Sequence, residues 1–425
     1  VDGRSGYVSA PQVFAADRVW DGLADRPIEK GFVRVDDGVI GAVGRAADLP
    51  SGAEARDLGD VTLMPGLINA HVHITFCAST TVLDDYFKER DAGYETLMAR
   101  AEENLRRAVS VGCTTVRDLG TLNDVVFTAR ERIREGALDG PDIVAAGEGI
   151  TSNRGHCYFF GIEAEGIDAV RAAVRRQHEA GADVVKIFAT GGNLTPGTDP
   201  FSPQYSADEL IACVDEARSR GLPVASHAHA TEGIRRSVAA GVNTIEHCFF
   251  ETPTGLDFDE RVAVEMAEKR IAAVPTYGKS LLRYLDDPSL MHELPPERRG
   301  VVTRIVSKIP DAMQNFARMR ELGVPVIAGT DAGIPNRHFD DFAADVFVLA
   351  DDGVGIGMGA RGALMAATSD NARVLGLDDR GVLAPGRRAD LLAVRGDPLA
   401  RIEDVQNTAL VVCAGRAVVD RPPDV

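Results

Sequence analysis

His71 and His73 stand one residue apart at the end of an apolar run, and they are the first residues in the chain whose type and spacing point to chemistry. Residues i and i+2 of a strand face one side, so both imidazoles can reach a single cation. Four further segments have the same character, a cation-binding residue in or just after a short apolar stretch. Lys186 lies in Asp183-Val-Val-Lys-Ile-Phe188, and His227 and His229 lie in Ser226-His-Ala-His229. His247 ends Thr244-Ile-Glu-His247, and Asp331 follows Val326-Ile-Ala-Gly-Thr330.

Each of these alone has a plain structural reading. Histidines can be hydrogen-bonded core groups, a strand-end lysine can reach solvent along its stem, and an aspartate can cap a helix or form a turn. Their combination is what carries weight. A lysine in an apolar strand is costly unless it is paired or neutralised. Burial lowers its pKa, so the free amine can take up carbon dioxide. The carbamate so formed is an anion with two oxygens, able to bridge two cations. Of His227 and His229, one ligand suffices. Asp331 can both bind a metal and move a proton. Nitrogen and oxygen ligands without thiolate suit two zinc ions, with manganese or cobalt as substitutes. Paired cations ~3.5–4 Å apart acidify a water and polarise a carbonyl.

The elements that must position these groups follow from the alternation of short apolar runs with longer helical patterns, which predicts an α/β fold with a parallel sheet. Eight strands are expected: Leu63–Ile74, Thr114–Leu119, Asp142–Ile150, Asp183–Phe188, Pro223–His229, Thr244–Cys248, Ala272–Thr276 and Val324–Thr330. Eight strand–helix repeats is the count of a (β/α)8 TIM barrel, whose active site forms at the C-terminal strand ends. Helices are expected between them, such as 94–111 and 207–219, the second opened by the capping-box pattern Ser206-Ala-Asp-Glu209. Both chain ends read as hairpins with Asp-Gly turns. They predict a small composite β-sandwich domain of residues 1–62 plus 380–425, around a barrel spanning 63–379.

Pro65-Gly-Leu-Ile-Asn-Ala-His-Val-His73, Lys186, His227, Gly241-Val-Asn-Thr-Ile-Glu-His247 and Gly329-Thr-Asp-Ala-Gly333 together resemble the amidohydrolase superfamily. Gly381-Val-Leu-Ala-Pro-Gly-Arg-Arg-Ala-Asp-Leu391 resembles the re-entry of those enzymes into their β domain, so the likeness spans nearly the whole chain. Thr115-Val-Arg-Asp-Leu-Gly120 and the segment from His227 to Arg236 fit the prolidase-like, Xaa-Pro dipeptidase branch, which is related to imidazolonepropionase. The resemblance implies that His71, His73 and Asp331 hold one ion, that His227 and His247 hold the other, and that carboxylated Lys186 bridges them. It leaves His229 for substrate and matches His156, in Asn153-Arg-Gly-His-Cys157, to a substrate-contacting histidine. Arg154-Gly-His-Cys-Tyr-Phe-Phe-Gly161 departs from the pattern of a typical prolidase. Such enzymes assemble into homo-oligomers.

The implied reaction is hydrolysis of an amide or peptide C–N bond, with Asp331 as proton carrier and His156 aiding at the carbonyl. A dipeptide or N-acyl amino acid carries a carboxylate, for which Arg154, Tyr158 and His229 are the expected donors. Competing readings are a carbamate, urea or cyclic amide hydrolase, a mononuclear deaminase and a non-catalytic scaffold. Relatives with one metal generally lack the lysine, and no ligand is missing here as it would be in a scaffold. With 46 basic against 64 acidic residues, a net −18, the chain repels nucleic acid and anionic membrane. No apolar run is long enough to span a bilayer. Six scattered cysteines, with no close pair, suit free thiols in a reducing cytoplasm. A chain starting at Val1 also suits one whose leader has been removed for export.

Overall fold

A computed structural model describes residues 12–294, 296–353 and 355–421. Val1, on which the expectation of a leader rests, lies outside them. The two chain ends meet in one eight-stranded sheet. The N-terminal part supplies Gln12–Val19, Ile28–Asp36, Val39–Arg45, Arg56–Asp57 and Val61–Pro65, and the C-terminal part supplies Leu391–Arg395, Thr408–Cys413 and Arg416–Asp420. The seam is the antiparallel pairing of Leu391–Arg395 with Val61–Pro65. The hairpin between Ile28–Asp36 and Val39–Arg45 turns at Asp37 and Gly38, with φ of 47° and 80°, the left-handed pair that an Asp-Gly turn supplies. Alternate residues from both ends, among them Val33, Val35, Leu63, Leu391 and Leu410, share a buried cluster of their own.

The remainder is a mixed α/β unit of the TIM-barrel type. Leu67–Val72, Cys113–Asp118 and Asp142–Ala145 pair in parallel. So do Ile150–Thr151, Val185–Phe188, Val224–Ala230, Thr244–Thr252 and Ala272–Val274. The two groups touch where the Asp183 N–H donates to Ala145 O, at 2.8 Å. The segment around 326–332 is bridged in parallel to Ala273 on one side and to Val72 on the other. The expected strand over 324–330 is present only as these bridges and as single bonds such as Ala70 N–H to Ala328 O, 2.9 Å.

Helices follow the apolar spacing. Tyr94–Ser110 buries Leu97, Met98, Ala101, Leu105, Ala108 and Val109, a stripe at i, i+4 and i+7 intervals. Ala207–Ser219 starts at Ser206, whose hydroxyl accepts from the Glu209 N–H while the Glu209 side chain accepts from the Ser206 N–H. The run expected as one strand over Leu63–Ile74 is two strands, broken at Gly66. Any Cβ there would fall 2.2 Å from the Thr114 side chain. The close crossing lets one half join the composite sheet and the other turn into the barrel-type unit. No helix of the described residues is long and apolar enough to cross a membrane, and the cysteines are all free, five of them buried.

Candidate metal centre and active site

His71 is the penultimate residue of the strand Leu67–Val72 and His73 follows it. Both rings are oriented through Nδ1. His71 Nδ1 lies 2.8 Å from Glu246 Oε2, and His73 Nδ1 lies 3.0 Å from Gly120 O. A carbonyl only accepts, so His73 donates to it from Nδ1 and turns Nε2 towards the cavity. Burial would raise Glu246, but Arg117, 2.9 Å away, and His71 outweigh it and hold the carboxylate at about 2. Glu246 is therefore an acceptor, and His71 donates to it from Nδ1. Burial and Lys186 push the His71 imidazolium down to about 4. The Nε2 atoms of His71 and His73 face Asp331 Oδ1 at 3.3 and 3.2 Å. Burial alone would raise Asp331, yet His71, His73 and Arg337 keep it well below the usual carboxylate range. Three possible ligand atoms, one from each of His71, His73 and Asp331, thus converge, an arrangement that suits a cation.

The second group is built the same way. His227 Nε2 donates to Gly191 O at 3.1 Å, which leaves the Nδ1 lone pair 2.9 Å from His247 Nε2. His247 is held from its other side by Thr276 Oγ1 at 2.7 Å. Burial and neighbouring histidines push both rings well down. His229 stacks on His247 with centroids 4.4 Å apart, and its Nδ1 is buried without a partner. In each trio, His71–His73–Asp331 and His227–His229–His247, one ligating atom per residue lies within 4.8 Å of the others. Orientation of metal-binding histidines by such outer partners is the usual design.

His247 reaches this position by breaking the strand's alternation. The register between Val224–Ala230 and Thr244–Thr252 shifts between Ala228 and Ala230. His247, Cys248 and Phe250 have φ of 70°, 53° and 56°. A bulge with left-handed residues re-aims side chains beside active sites. Simple alternation would have put Glu246 and His247 on opposite sides; here both serve the site. Asp331 likewise has φ 60°, which an aspartate tolerates better than most residues.

Lys186 lines the same cavity as both trios. It is 1% exposed, and its Nζ has no hydrogen-bond partner. Burial lowers its pKa, against the pull of Glu246 and Asp331. An unpartnered ammonium at such depth is the costly form, and the neutral amine is the form that reacts with carbon dioxide. The donor set and the orphan lysine beside it are therefore chemically suited to hold divalent metal.

His156 borders the same cavity, its ring 4.7 Å from that of His227 and its Nδ1 without a partner. Gly192 gives it room: a Cβ there would lie 2.3 Å from His156 Nε2. Gly192→Ala is expected to keep the metal content and cut kcat by at least about tenfold, the scale of a misplaced contact near the reacting atoms. Equal kcat would show that the ring's place is immaterial.

All six expected ligands line one cavity of about 90 Å³, together with His156, His229, Phe249, Glu251, Tyr277 and Arg337. Arg154 is exposed and Tyr158 half-buried, the two in cation–π contact at 5.8 Å, and neither lines that cavity. Sequence reasoning assigned no role to Glu246, Thr276, Tyr277 or Arg337. Glu246 carried a signal, being a carboxylate inside an apolar strand beside His247. Thr276 and Tyr277 follow a strand end and Arg337 lies in a loop, and their approach to one another has no local sequence mark. A larger groove of about 560 Å³ opens at the opposite strand ends. Its Asp142 and Asp183 are already paired, with Arg380 and Arg130 at 2.8 and 2.7 Å, so it reads as structural.

Behind Arg337, Asp345 is buried, accepts from the Lys279 N–H at 2.7 Å and has its carboxyl pushed up to about 7, chiefly by burial. Folded chain binds this proton more tightly than unfolded chain, whose value is near 3.8. Stability therefore falls as pH rises from about 4 through 7 and levels off above. Asp345→Asn is expected to remove this fall, so its Tm advantage over the parent grows between pH 5 and pH 8. A constant Tm difference across that range would refute the assignment.

The Amidohydrolase family pattern matches residues 62–418. The ochratoxinase of Aspergillus niger is 27% identical over 91% of this chain and 81% of its own length. A Xaa-Pro dipeptidase crystallised with methionine in its active site superimposes with TM-score 0.81 and 28% identity, covering 96% of this chain and 99% of that one. A prolidase complexed with N-methylphosphonate-L-proline gives TM-score 0.82 and 28% identity, over 97% of this chain and all (100%) of that one. With the two histidine groups and the family match in hand, the chain is a hydrolase of carbon–nitrogen bonds that belongs to the amidohydrolase family, in its prolidase-like branch.

Proposed function

We propose that the protein is a binuclear metal-dependent amidohydrolase that cleaves the C–N bond of a dipeptide or N-acyl amino acid. The observation that carries this reading is the convergence of His71, His73 and Asp331, and of His227, His229 and His247, on one cavity that the unpartnered Lys186 also lines. His71, His73 and Asp331 hold one ion, His227 and His247 the other, zinc being the metal that suits them. Lys186 takes up carbon dioxide as the free amine: a nitrogen–carbon bond forms, a proton leaves to solvent, and the carbamate serves both groups. When bound, the cations supply an acidified water and a Lewis acid for the carbonyl.

The chain's own groups do the rest. Asp331 accepts the proton released as water attacks and passes it to the leaving nitrogen. His156 and His229, each with an unpartnered Nδ1, approach the scissile carbonyl and stabilise the charge that develops on its oxygen. Glu246, Thr276 and the Gly120 and Gly191 carbonyls hold the ligand rings in place. Part of the same reading is a ring of eight strands closed through residues 326–332, a composite sandwich of 1–62 with 380–425, a barrel of 63–379, and assembly into a homo-oligomer.

A screen of dipeptides and N-acyl amino acids, with zinc and bicarbonate supplied, tests the reading. Release of free amino acid that stops on chelation is the expected result; no release from any member contradicts it. A mononuclear deaminase would bind one ion per chain, and carbamate or urea substrates would release a different product, so metal counting and product analysis separate these.

A further inference from the structure

The strand Thr244–Thr252 buries two glutamates whose surroundings differ sharply. Glu246 meets Arg117 at 2.9 Å and His71 at 2.8 Å, the partners that a carboxylate withdrawn from water requires. Glu251 is 3% exposed and lines the cavity on which both trios converge. Among the described residues, no hydrogen bond or ion pair engages its carboxylate. Its backbone is held on two sides, paired in parallel with Ala230 and antiparallel with Leu256 across the turn at Pro253 and Thr254. The sheet, not a loose loop, therefore carries this side chain to the cavity.

The charges around Glu251 leave it uncompensated. Asp331, the other carboxylate that lines the cavity, faces His71 and His73. Arg337 bonds Thr330 O at 2.8 Å and forms no ion pair with Glu251. Lys308 is a neighbour, but its Nζ stands over the Phe201 ring at 5.1 Å, beside Arg304 at 5.4 Å, and it does not line the cavity. An anion buried at such depth without a partner suits a cation that enters with the ligand.

The place of the carboxylate says which cation. Burial lowers the pKa of His229, and Glu251 is the leading charge that opposes it, so ring and carboxylate are neighbours. His229 is the ring that approaches the scissile carbonyl in the function proposed above. A dipeptide and an N-acyl amino acid differ just there: the dipeptide carries an ammonium on the carbon bonded to that carbonyl. Resting on that function, we infer that the substrate is a dipeptide with a free amine, its α-ammonium held by Glu251, and that acyl compounds without the ammonium are poor substrates.

The test compares L-alanyl-L-leucine with N-propionyl-L-leucine, which differ only in the ammonium, on the zinc- and bicarbonate-loaded protein. The dipeptide is expected to exceed the propionyl compound in kcat/KM by at least about 100-fold, because a buried polar group left unpaired discriminates strongly. Glu251→Gln is expected to narrow that ratio at least about tenfold by weakening a charge-assisted contact. Glu251→Asp should retain a preference for the dipeptide, and Lys308→Met should not narrow the ratio. Equal use of the two compounds by the parent overturns the assignment. So do Glu251→Gln and Lys308→Met variants that lower both compounds alike, the mark of a carboxylate that only balances the lysine. If neither compound is cleaved, calorimetry with both reads binding alone. Tighter binding of the dipeptide, lost in Glu251→Gln, then keeps the ammonium site and rejects the reaction, and equal binding rejects both. Cleavage of the two at equal rates keeps the reaction and rejects the site.

Discussion

Lys186→Ala is expected to lose most bound metal and at least about 100-fold in kcat/KM, the upper end of what loss of a supporting group costs a metal site. The change removes the buried amine that lines the cavity with both ligand groups, and the nearby carboxylates are already engaged: Glu246 with Arg117 and His71, and Asp331 with His71 and His73. The metal-free variant should unfold no more readily than the metal-free parent. What is deleted is a buried amine whose Nζ has no hydrogen bond, so little native energy goes with it beyond packing of the stem. Added short carboxylic acids, which fit the vacated space and restore an anion, should recover part of the activity. Elemental analysis, denaturant titration and the rescue assay check the three parts. Full metal content with unchanged kinetics would remove the lysine from the mechanism.

Asp331→Asn should cut kcat by about 100- to 10,000-fold, the range that a positioned acid–base contributes, with little change in fold. Asparagine shares aspartate's tolerance of left-handed backbone, so φ of 60° is not a source of strain in the variant. Its affinity for the first ion should be lower, because an amide oxygen replaces an anionic one beside His71 and His73. Steady-state kinetics and metal titration read the two effects. Unchanged kcat would reject the proton carrier, and unchanged affinity for the first ion would reject Asp331 as a ligand.

The residues that converge were legible because each is chemically out of place in its own segment. A lysine within Val184-Val-Lys-Ile-Phe188 and an aspartate closing an apolar run stand out without knowledge of the partner. Strand order was legible for the same reason that a parallel sheet is, since its buried strands read as short apolar runs. The interruption at Gly66 was not, because the reason for it, Thr114, is distant in sequence. Nor was the bulge that brings His247 and Glu246 to one site: left-handed φ at a histidine followed by a cysteine has no composition signal. Arg154 looked suited to a carboxylate by proximity to His156 in the chain, yet it is exposed. Arg337, six residues beyond Asp331, faces the cavity because its loop folds back onto Thr330 O, a contact that spacing alone does not announce.

The most direct measurement is anomalous X-ray scattering at the zinc edge from crystals of the zinc- and bicarbonate-loaded protein. The account predicts two peaks per chain, one among His71, His73 and Asp331 and one among His227 and His247, with density for a carbamate continuous with Lys186 Nζ. A single peak or none, beside a bare lysine amine in crystals of active protein, would contradict it.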